Sequence, residues 1–298
     1  MTIPQILLSL LQSLEKDATT RFTGTPPKIH SSTSGKTYFV KLGSSTDIEQ
    51  FNGEAESLKA IDTAAPGLAP KVFLSGTENE RPYFVSEYKD IGPLSRASIA
   101  LAKRLATELH VHTSPEGKFG FHVPTYCGAT RMKNGWFDTW EECFKEKIGE
   151  LLEYLEAQGK RNAIYKGLCV RGERVMNEVI PKLLGPLDIK PVLLHGDLWS
   201  GNAGTDASTG QPVIFDPSSY YGHNEADLAI ARIFGGFSES FFTEYHRQLP
   251  KTAPEEQYDL RGDLYELYHY LNHTVLFGAG GYASSAMQKM DRLLNAEL

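Results

Sequence analysis

Residues 193–204 read LLHGDLWSGNAG and hold the densest group of chemically active side chains in the sequence. Asp197 and Asn202 stand five positions apart, with glycines around them. A second apolar run, VIFDP at 213–217, ends on Asp216. Short apolar runs bounded by turn residues predict β-strands. We therefore expect two adjacent strands to deliver these three polar side chains to one place.

The three side chains have the chemistry of a phosphoryl-transfer site. An amide oxygen and a carboxylate suit Mg²⁺, which usually keeps waters and substrate phosphates as its remaining ligands. Asn202 and Asp216 are thus candidate metal ligands, and Asp197 is a candidate catalytic base for a hydroxyl nucleophile. Protein-kinase catalytic loops share the D-x-x-x-x-N spacing, and FDP stands where DFG would. An Asp and an Asn at this spacing are common by chance, so the pair needs upstream partners.

Those partners occur in the first ninety residues. Lys41 in YFVKL is predicted on a strand, where it would contact ATP phosphates, and Glu54 in the next helix would hold it extended. Glu56 is a competing acid in the same helix.

The nucleotide loop is the least distinctive part of the pattern. No G-x-G-x-x-G occurs near residues 24–36, so backbone N–H groups of the hairpin IHSSTSGK (29–36) would hold the phosphates. Taken alone, that stretch is an ordinary turn. Adenine would contact the connector at Glu87, Tyr88 and Lys89, because ligands favour the seam between domains.

The order of predicted elements indicates an α+β protein with two lobes. A small mixed lobe with ATP-binding residues spans 1–89, and a larger, mainly helical lobe spans 90–298. Hydrophobic spacing near the N-terminus predicts a structural helix rather than a secretory signal, since no basic segment precedes it.

Bulk properties exclude several classes of protein. The net charge of −7 gives no reason to expect nucleic acid or an anionic membrane as partner. No run approaches the roughly 18 apolar residues of a membrane span. Three cysteines, Cys127, Cys143 and Cys169, are too few and scattered for a disulfide framework or zinc cluster, so we expect reduced thiols in a cytoplasmic protein.

Two hydrolytic alternatives are weaker. His195 could be a catalytic acid or zinc ligand, but the other histidines form no H-E-x-x-H set, so we expect a buried side chain that bonds the loop backbone. Ser200 lacks the G-x-S-x-G context of a hydrolase nucleophile.

Long segments of the sequence resemble the fructosamine 3-kinase or ketosamine 3-kinase family. The resemblance is carried by LLHGDLWSGN, FDPSSYYGHNEADLAIARIFGGF, SFFTEYHRQLP, YLNHTVLFG and KFGFHVPTYCG. It implies a protein-kinase-like two-lobe fold, similar to aminoglycoside phosphotransferases. It also implies ATP- and Mg²⁺-dependent phosphorylation of the 3-hydroxyl of ketosamines on protein lysines, which starts deglycation. Ribulosamine is the expected substrate, with erythrulosamine and, more weakly, fructosamine. The alternatives are a kinase of the aminoglycoside or choline type and an inactive binding module.

The resemblance also assigns individual residues. It supports the roles given above to Asp197 as base and to the metal ligands and the phosphate-binding pair. It adds three candidate substrate contacts and an anchor for the catalytic loop. The substrate contacts are Trp199, Tyr221 and His223, and the anchor is Asp227.

One departure from the family bears on oligomeric state. Several members carry a nucleotide-loop cysteine that forms an intersubunit disulfide, whereas no cysteine precedes Cys127 here. We expect a monomer without that redox-sensitive dimer.

Overall fold

The computed structural model describes residues 3–159 and 162–298. The first part of the chain forms a five-stranded antiparallel sheet with the order β1-β2-β3-β5-β4. Its strands are β1 (Phe22–Thr25), β2 (Lys28–Ser31), β3 (Thr37–Leu42), β4 (Val72–Glu78) and β5 (Arg81–Glu87). Helices α1 (Gln5–Glu15) and α2 (Ile48–Ala64) complete this lobe.

Side chains alternate along β3, so the two faces of this sheet pack against different parts of the protein. Val40 packs in a small core with Leu7 and Leu11 of α1. Phe39 faces the other way and packs with the large core, to which α2 contributes Leu58. Successive strand residues point to opposite faces, so Lys41 lies on the α2 side.

The rest of the chain is mainly helical, with short strands between the helices. The helices are α3 (Ser98–Thr107), α4 (Trp140–Gln158), α5 (Ala163–Arg174), α6 (Ile180–Leu184), α7 (Glu225–Ile233), α8 (Glu239–Gln248), α9 (Tyr258–Phe277) and α10 (Gly281–Leu294). The strands are β6 (Ile91–Gly92), β7 (Thr125–Cys127), β8 (Thr130–Met132), β9 (Val192–Leu194), β10 (Ala203–Asp206), β11 (Pro212–Ile214) and β12 (Tyr220–Gly222). The prediction of a two-lobe α+β fold is confirmed. Among the described helices, none combines the length and apolarity needed to cross a membrane.

The strands around the catalytic segment differ from the prediction in one respect. β9 pairs with β12, whereas β11 pairs with β10 in a separate sheet, β11-β10-β6. The expectation that two adjacent strands deliver Asp197 and Asp216 is therefore wrong. Backbone and side-chain hydrogen bonds link the two loops instead. β10 was missed because its AGTD sequence has almost no strand signal.

The two lobes are joined through a connector that is itself hydrogen-bonded to the second lobe. β6 pairs with β10, and Lys89 Nζ lies 2.7 Å from Glu87 Oε1 and 3.1 Å from Asp206 Oδ2. We still propose a boundary between the lobes at residue 89. It is supported by the end of the five-stranded sheet at Glu87 and the start of the connector there.

Candidate active site

The loop that carries Asp197 requires a glycine just before it. Gly196 has φ +83°, and a Cβ there would lie 2.0 Å from the carbonyl oxygen of Ser218. A side chain would therefore meet both backbone strain and a steric clash. The HGD sequence thus folds as a tight turn that presents Asp197 at its tip.

Asp227, at the start of α7, anchors this turn from behind. Its carboxylate accepts hydrogen bonds from the N–H of His195 at 2.6 Å and of Gly196 at 2.8 Å. His110 Nε2 lies 3.1 Å from Asp227 Oδ2. These hydrogen bonds lower the pKa of the buried Asp227 despite its desolvation, the largest single influence, which acts in the opposite direction. The anchor therefore stays ionised and fixes the loop.

His195 links the two loops and does no acid–base chemistry at neutral pH. Its Nδ1 accepts from the N–H of Asp197 at 3.2 Å, so Nε2 carries the proton and donates to the Phe215 carbonyl at 3.0 Å. Burial lowers the pKa of this imidazole, which keeps it neutral. The buried position agrees with the expectation from sequence.

Asp197 and Asn202 meet directly. Asn202 Nδ2 donates to the Asp197 carbonyl at 3.0 Å and to Asp197 Oδ2 at 3.1 Å. Both hydrogen bonds are donated by the amide nitrogen of Asn202. The amide oxygen Oδ1 accepts no hydrogen bond from the described residues, and such an oxygen is a suitable ligand for a hard cation. Desolvation raises the pKa of Asp197 to about 6, which suits a general base at neutral pH.

Asp216 lines the same cavity in a strained backbone conformation. Its φ of +52° is in the left-handed region, which few non-glycine residues adopt. The side chain is 62% exposed, and Oδ1 lies 4.0 Å from Lys41 Nζ. Strain of this kind concentrates at functional sites. The carboxylate, together with Asn202 Oδ1, is thus a donor that would hold a cation in this cavity.

Lys41 is paired with Glu54 and not with Glu56. Lys41 Nζ lies 2.8 and 2.7 Å from the two carboxylate oxygens of Glu54. Glu56 instead contacts Lys59 and His122. Burial raises the pKa of Glu54, although Lys41 acts against that rise. The ammonium is held extended over the cavity.

One face of α2 is fastened to the segment 122–131 of the second lobe, which sequence reasoning missed. Glu49 accepts from Arg131 Nη2 at 2.9 Å and from the Tyr126 hydroxyl at 2.7 Å. Farther along α2, a Cβ on Gly53 would lie 2.4 Å from the Pro124 carbonyl oxygen. The helix that positions Glu54 is therefore held from both lobes.

With Lys41 predicted to bind ATP phosphates, this contact leads us to expect that Arg131→Ala weakens ATP binding. We expect the KM for ATP to rise by roughly three- to tenfold, because α2 gains freedom and Glu54 holds Lys41 less well. Stability should change by only about 0.2–1 kcal/mol, since both partners are more than a third exposed. Steady-state kinetics and thermal unfolding measure the two effects.

The matched control is Arg174→Ala, which removes an exposed bidentate pair with Glu178 far along the chain. It should leave the KM for ATP unchanged. Equal effects of the two substitutions on KM would contradict a positioning role for Arg131.

Three cavities follow one another, two along the seam between the lobes and a third within the second lobe. An apolar slot of about 280 Å³ is lined by Phe39, Leu58 and Phe84 together with the connector. It shares Glu54 and Asp216 with a polar cavity of about 320 Å³.

The third cavity, of about 330 Å³, adjoins the polar one. The two share Gly128, Asp197 and Trp199. Half of its lining residues are aromatic, and the walls come from the end of β7, the catalytic loop, the residue after α7, α9 and α10. They include Trp199, Phe234, His273, Leu276, Phe277 and Tyr282. Only Trp199 was singled out from sequence, although YLNHTVLFG, quoted for the resemblance, contains three of the others.

The predicted connector residues Glu87, Tyr88 and Lys89 all line the apolar slot. Trp199 is 39% exposed and stands edge-on to Phe234, with ring centroids 6.0 Å apart.

Two predicted substrate contacts lie elsewhere. His223 is buried and hydrogen-bonded to the Tyr265 hydroxyl at 2.7 Å and to Thr252 Oγ1 at 2.8 Å. Tyr221 is buried in β12 and packs beside Trp136. Neither side chain lines the three cavities, so the structure does not support substrate contact for them. Their position between Asp216 and Asp227 in the sequence suggested a place in the site, but β12 pairs with β9 and both side chains are buried.

The sequence also led us to expect that the hairpin at residues 29–36 holds the phosphates, and the structure does not place it at the polar cavity. Its turn is tied to α1 by a hydrogen bond from Ser34 Oγ to Glu15 at 2.6 Å. It adjoins Thr37, four residues along β3 from Lys41, which is about 13 Å in an extended strand. The stretch is an ordinary turn, and it does not reach the polar cavity.

Two lobes with Lys41 and Glu54 in one, and Asp197, Asn202 and Asp216 in the other, define a protein of the protein-kinase-like fold. Solved structures share this fold. A Haemophilus somnus protein assigned as a fructosamine-3-kinase has a TM-score of 0.79 at 21% identity and covers 97% of each chain. Choline kinase of Streptococcus pneumoniae has a TM-score of 0.60 at 16% identity and covers 97% of this chain and 98% of that one.

Sequence relatives narrow this class. The fructosamine kinase family model matches residues 14–296. A chloroplastic protein-ribulosamine 3-kinase of Arabidopsis thaliana is 38% identical over 270 residues, which cover 89% of this chain and 78% of that protein. Ketosamine-3-kinase of Mus musculus is 36% identical and covers 86% of this chain and 87% of its own. The chain belongs to the fructosamine kinase family, as the sequence motifs indicated.

Proposed function

We propose that this protein uses ATP and Mg²⁺ to phosphorylate the 3-hydroxyl of ketosamines on protein lysines, and so starts their deglycation. Ribulosamine is the preferred substrate, with erythrulosamine accepted and fructosamine used more weakly. The names of relatives at 36–38% identity, protein-ribulosamine 3-kinase and ketosamine-3-kinase, support this choice of acceptor.

The observation that carries the proposal is the order of the three cavities. The apolar slot at the connector suits adenine, the polar cavity suits the phosphates, and the aromatic cavity suits the acceptor. Asp197 lies where the second and third cavities meet. Phosphoryl transfer needs the attacking and leaving oxygens in line at the transferred phosphorus, with a carboxylate beside the attacking hydroxyl.

Each polar residue has a separate task in this reaction. Lys41, held by Glu54, binds phosphate oxygens. Asp197 orients the 3-hydroxyl and accepts its proton as the new oxygen–phosphorus bond forms. Asn202 Oδ1 and the Asp216 carboxylate are the donors that would hold Mg²⁺. When bound, that ion neutralises charge on the transferred phosphoryl group.

A small-molecule kinase of the aminoglycoside or choline type is the alternative. Solved structures of such enzymes share the fold at 10–16% identity, which supports the fold and not the acceptor. ATP consumption across free ketosamines, aminoglycosides and choline tests the choice, with Asp197→Asn as the control for contaminating ATPase. Faster turnover of an aminoglycoside or choline than of any ketosamine would overturn the proposed acceptor and leave the kinase mechanism standing.

The half-exposed ring of Trp199 predicts an acceptor-specific defect. Trp199→Ala should raise the KM for ribulose-lysine about tenfold, since aromatic cover of the sugar or the lysine stem contributes on the order of 1–2 kcal/mol. The KM for ATP should stay unchanged, and Trp199→Phe should restore much of the loss. An equal rise in both KM values would indicate general damage to the loop and contradict a direct contact.

A further inference from the structure

A second set of ligand atoms lies beside Asp197, away from Asn202 and Asp216. The sulfur of Cys127, a carboxylate oxygen of Asp197 and a ring nitrogen of His269 all lie within 4.8 Å of one another. They come from β7, the catalytic loop and α9. Cys127 and His269 are buried, and Cys127 and Asp197 also line the aromatic cavity. The cluster is therefore enclosed on one side and reachable from the acceptor side.

The polar groups in this cluster are incompletely satisfied. Nδ1 of His269 is buried and has no hydrogen-bond partner among the described residues, and the same holds for Oδ1 of Asn272 nearby on α9. Unpaired polar atoms in a protein interior are costly and call for an explanation such as a missing ion. The buried ammonium of Lys147 does not supply a partner, because it donates to Asn134 and lies 3.6 Å from the centre of the Tyr220 ring.

We propose that Cys127, Asp197 and His269 form an inhibitory site for Zn²⁺ or a similar thiophilic divalent cation. Sulfur, nitrogen and one carboxylate oxygen with an open fourth position are the ligand set of zinc, whereas Mg²⁺ and Ca²⁺ require oxygen. Bonds of about 2.0–2.3 Å place tetrahedral ligands nearer than 4.8 Å, so small side-chain rotations complete the site. On binding, the Cys127 thiol loses its proton to solvent and the cation occupies the Asp197 carboxylate.

Inhibition at this site would be competitive with the acceptor and not with ATP. The cation binds the Asp197 carboxylate, which would otherwise accept the proton of the acceptor hydroxyl. Lys41 and the donors for Mg²⁺ stay free. This kinetic pattern rests on the proposed function, in which Asp197 is the base. Binding of the cation does not, so the two ideas can fail separately.

Binding is tested with Co²⁺ as a spectroscopic substitute, on the full chain without ATP or acceptor. We expect a near-ultraviolet charge-transfer band from a cobalt–thiolate bond, displaced by Zn²⁺. Cys127→Ser should abolish the band, and His269→Gln should weaken affinity at least about tenfold. Cys143→Ser and Cys169→Ser, which alter the other two thiols, should keep the band. Absence of the band, or its persistence in Cys127→Ser, overturns the site even if the protein is an active kinase.

Inhibition is tested by Zn²⁺ titration of ketosamine phosphorylation at saturating Mg²⁺ and ATP, each variant being compared with its own uninhibited rate. The zinc concentration for half inhibition should rise at least about tenfold in His269→Gln. It should also rise with acceptor concentration and not with Mg²⁺. Relief of inhibition by Mg²⁺, with no effect of His269→Gln, would place zinc at Asn202 and Asp216 and overturn the proposal.

Discussion

Asp197→Asn is expected to lower turnover by about 10²–10⁴ while ATP affinity changes little. The amide keeps the size of the carboxylate, and its oxygen can still accept from Asn202 Nδ2, so the loop geometry is retained. Only proton acceptance is lost. Single-turnover phosphorylation measures the rate, and calorimetric titration with ATP and Mg²⁺ measures binding. Wild-type turnover in this variant would show that another group is the base.

The same substitution should stabilise the folded protein at neutral pH. Burial raises the pKa of Asp197 from 3.8 to about 6. A raised carboxyl pKa favours folding below the unfolded value, and that contribution is lost as pH rises through about 6. At pH 7 the wild type therefore keeps an ionised, desolvated group that Asn does not have. We expect the free energy of unfolding to rise by on the order of 2 kcal/mol.

Asp206→Asn is the matched control with the opposite sign. Hydrogen bonds from Ser208 and Lys89 outweigh burial and lower the pKa of Asp206 to about 2. Its ionised form therefore stabilises the fold above pH 3.8, and this contribution is lost as pH falls through about 2. Removal of the charge at pH 7 should destabilise the protein. Destabilisation by both substitutions, in thermal unfolding, would contradict a functional strain at Asp197.

The raised pKa also predicts the acid limb of the pH profile. Proton acceptance needs ionised Asp197, so kcat/KM for the acceptor should fall below about pH 6 in the free enzyme. Bound Mg²⁺ would favour the ionised form, so the corresponding limb of kcat should lie at lower pH. A profile that is flat down to pH 4 would be inconsistent with Asp197 as the base.

Local patterns were sufficient to single out the candidate residues that the structure brings to one cavity. Spacing related Asp197 to Asn202, and the order of elements related Lys41 on a strand to Glu54 in the next helix. The choice between Glu54 and Glu56 could not be made by periodicity, because it depends on how α2 rotates against the second lobe. That rotation is set by Arg131 and Pro124, about eighty residues farther along the chain.

Long-range packing also explains the failures. His223 and Tyr221 follow Asp216 closely in sequence, yet β12 pairs back onto β9 and buries both. The aromatic cavity shows the converse, since Phe234 and Tyr282 approach Trp199 only after α7, α9 and α10 have packed. Neither outcome has a short-range signal in the sequence. The positions of Tyr221 and His223 were therefore harder to predict from sequence than those of Asn202 and Asp216.

Asp216→Asn is expected to remove the dependence of nucleotide binding on Mg²⁺. Asp216 has φ +52°, a conformation that Asn adopts nearly as readily as Asp, so the substitution removes charge without new backbone strain. With Mg²⁺ present, ATP affinity should fall at least about tenfold, because a carboxylate ligand becomes a neutral amide. Without Mg²⁺, affinity should hold or rise, since Lys41, 4.0 Å away, no longer shares its charge with Asp216.

Titration calorimetry with and without Mg²⁺ separates these effects, and Asp216→Ala controls for the backbone. Alanine should lose the same Mg²⁺ dependence and in addition about 1 kcal/mol of stability, because it lacks the short polar side chain whose local hydrogen bonds let Asp and Asn adopt positive φ. If Asp216→Asn kept wild-type Mg²⁺ dependence, the cation would have to be held by Asn202 with some other group. The strain at residue 216 would then need a cause other than metal binding, which makes the paired substitutions a direct test of why an aspartate is kept in that conformation.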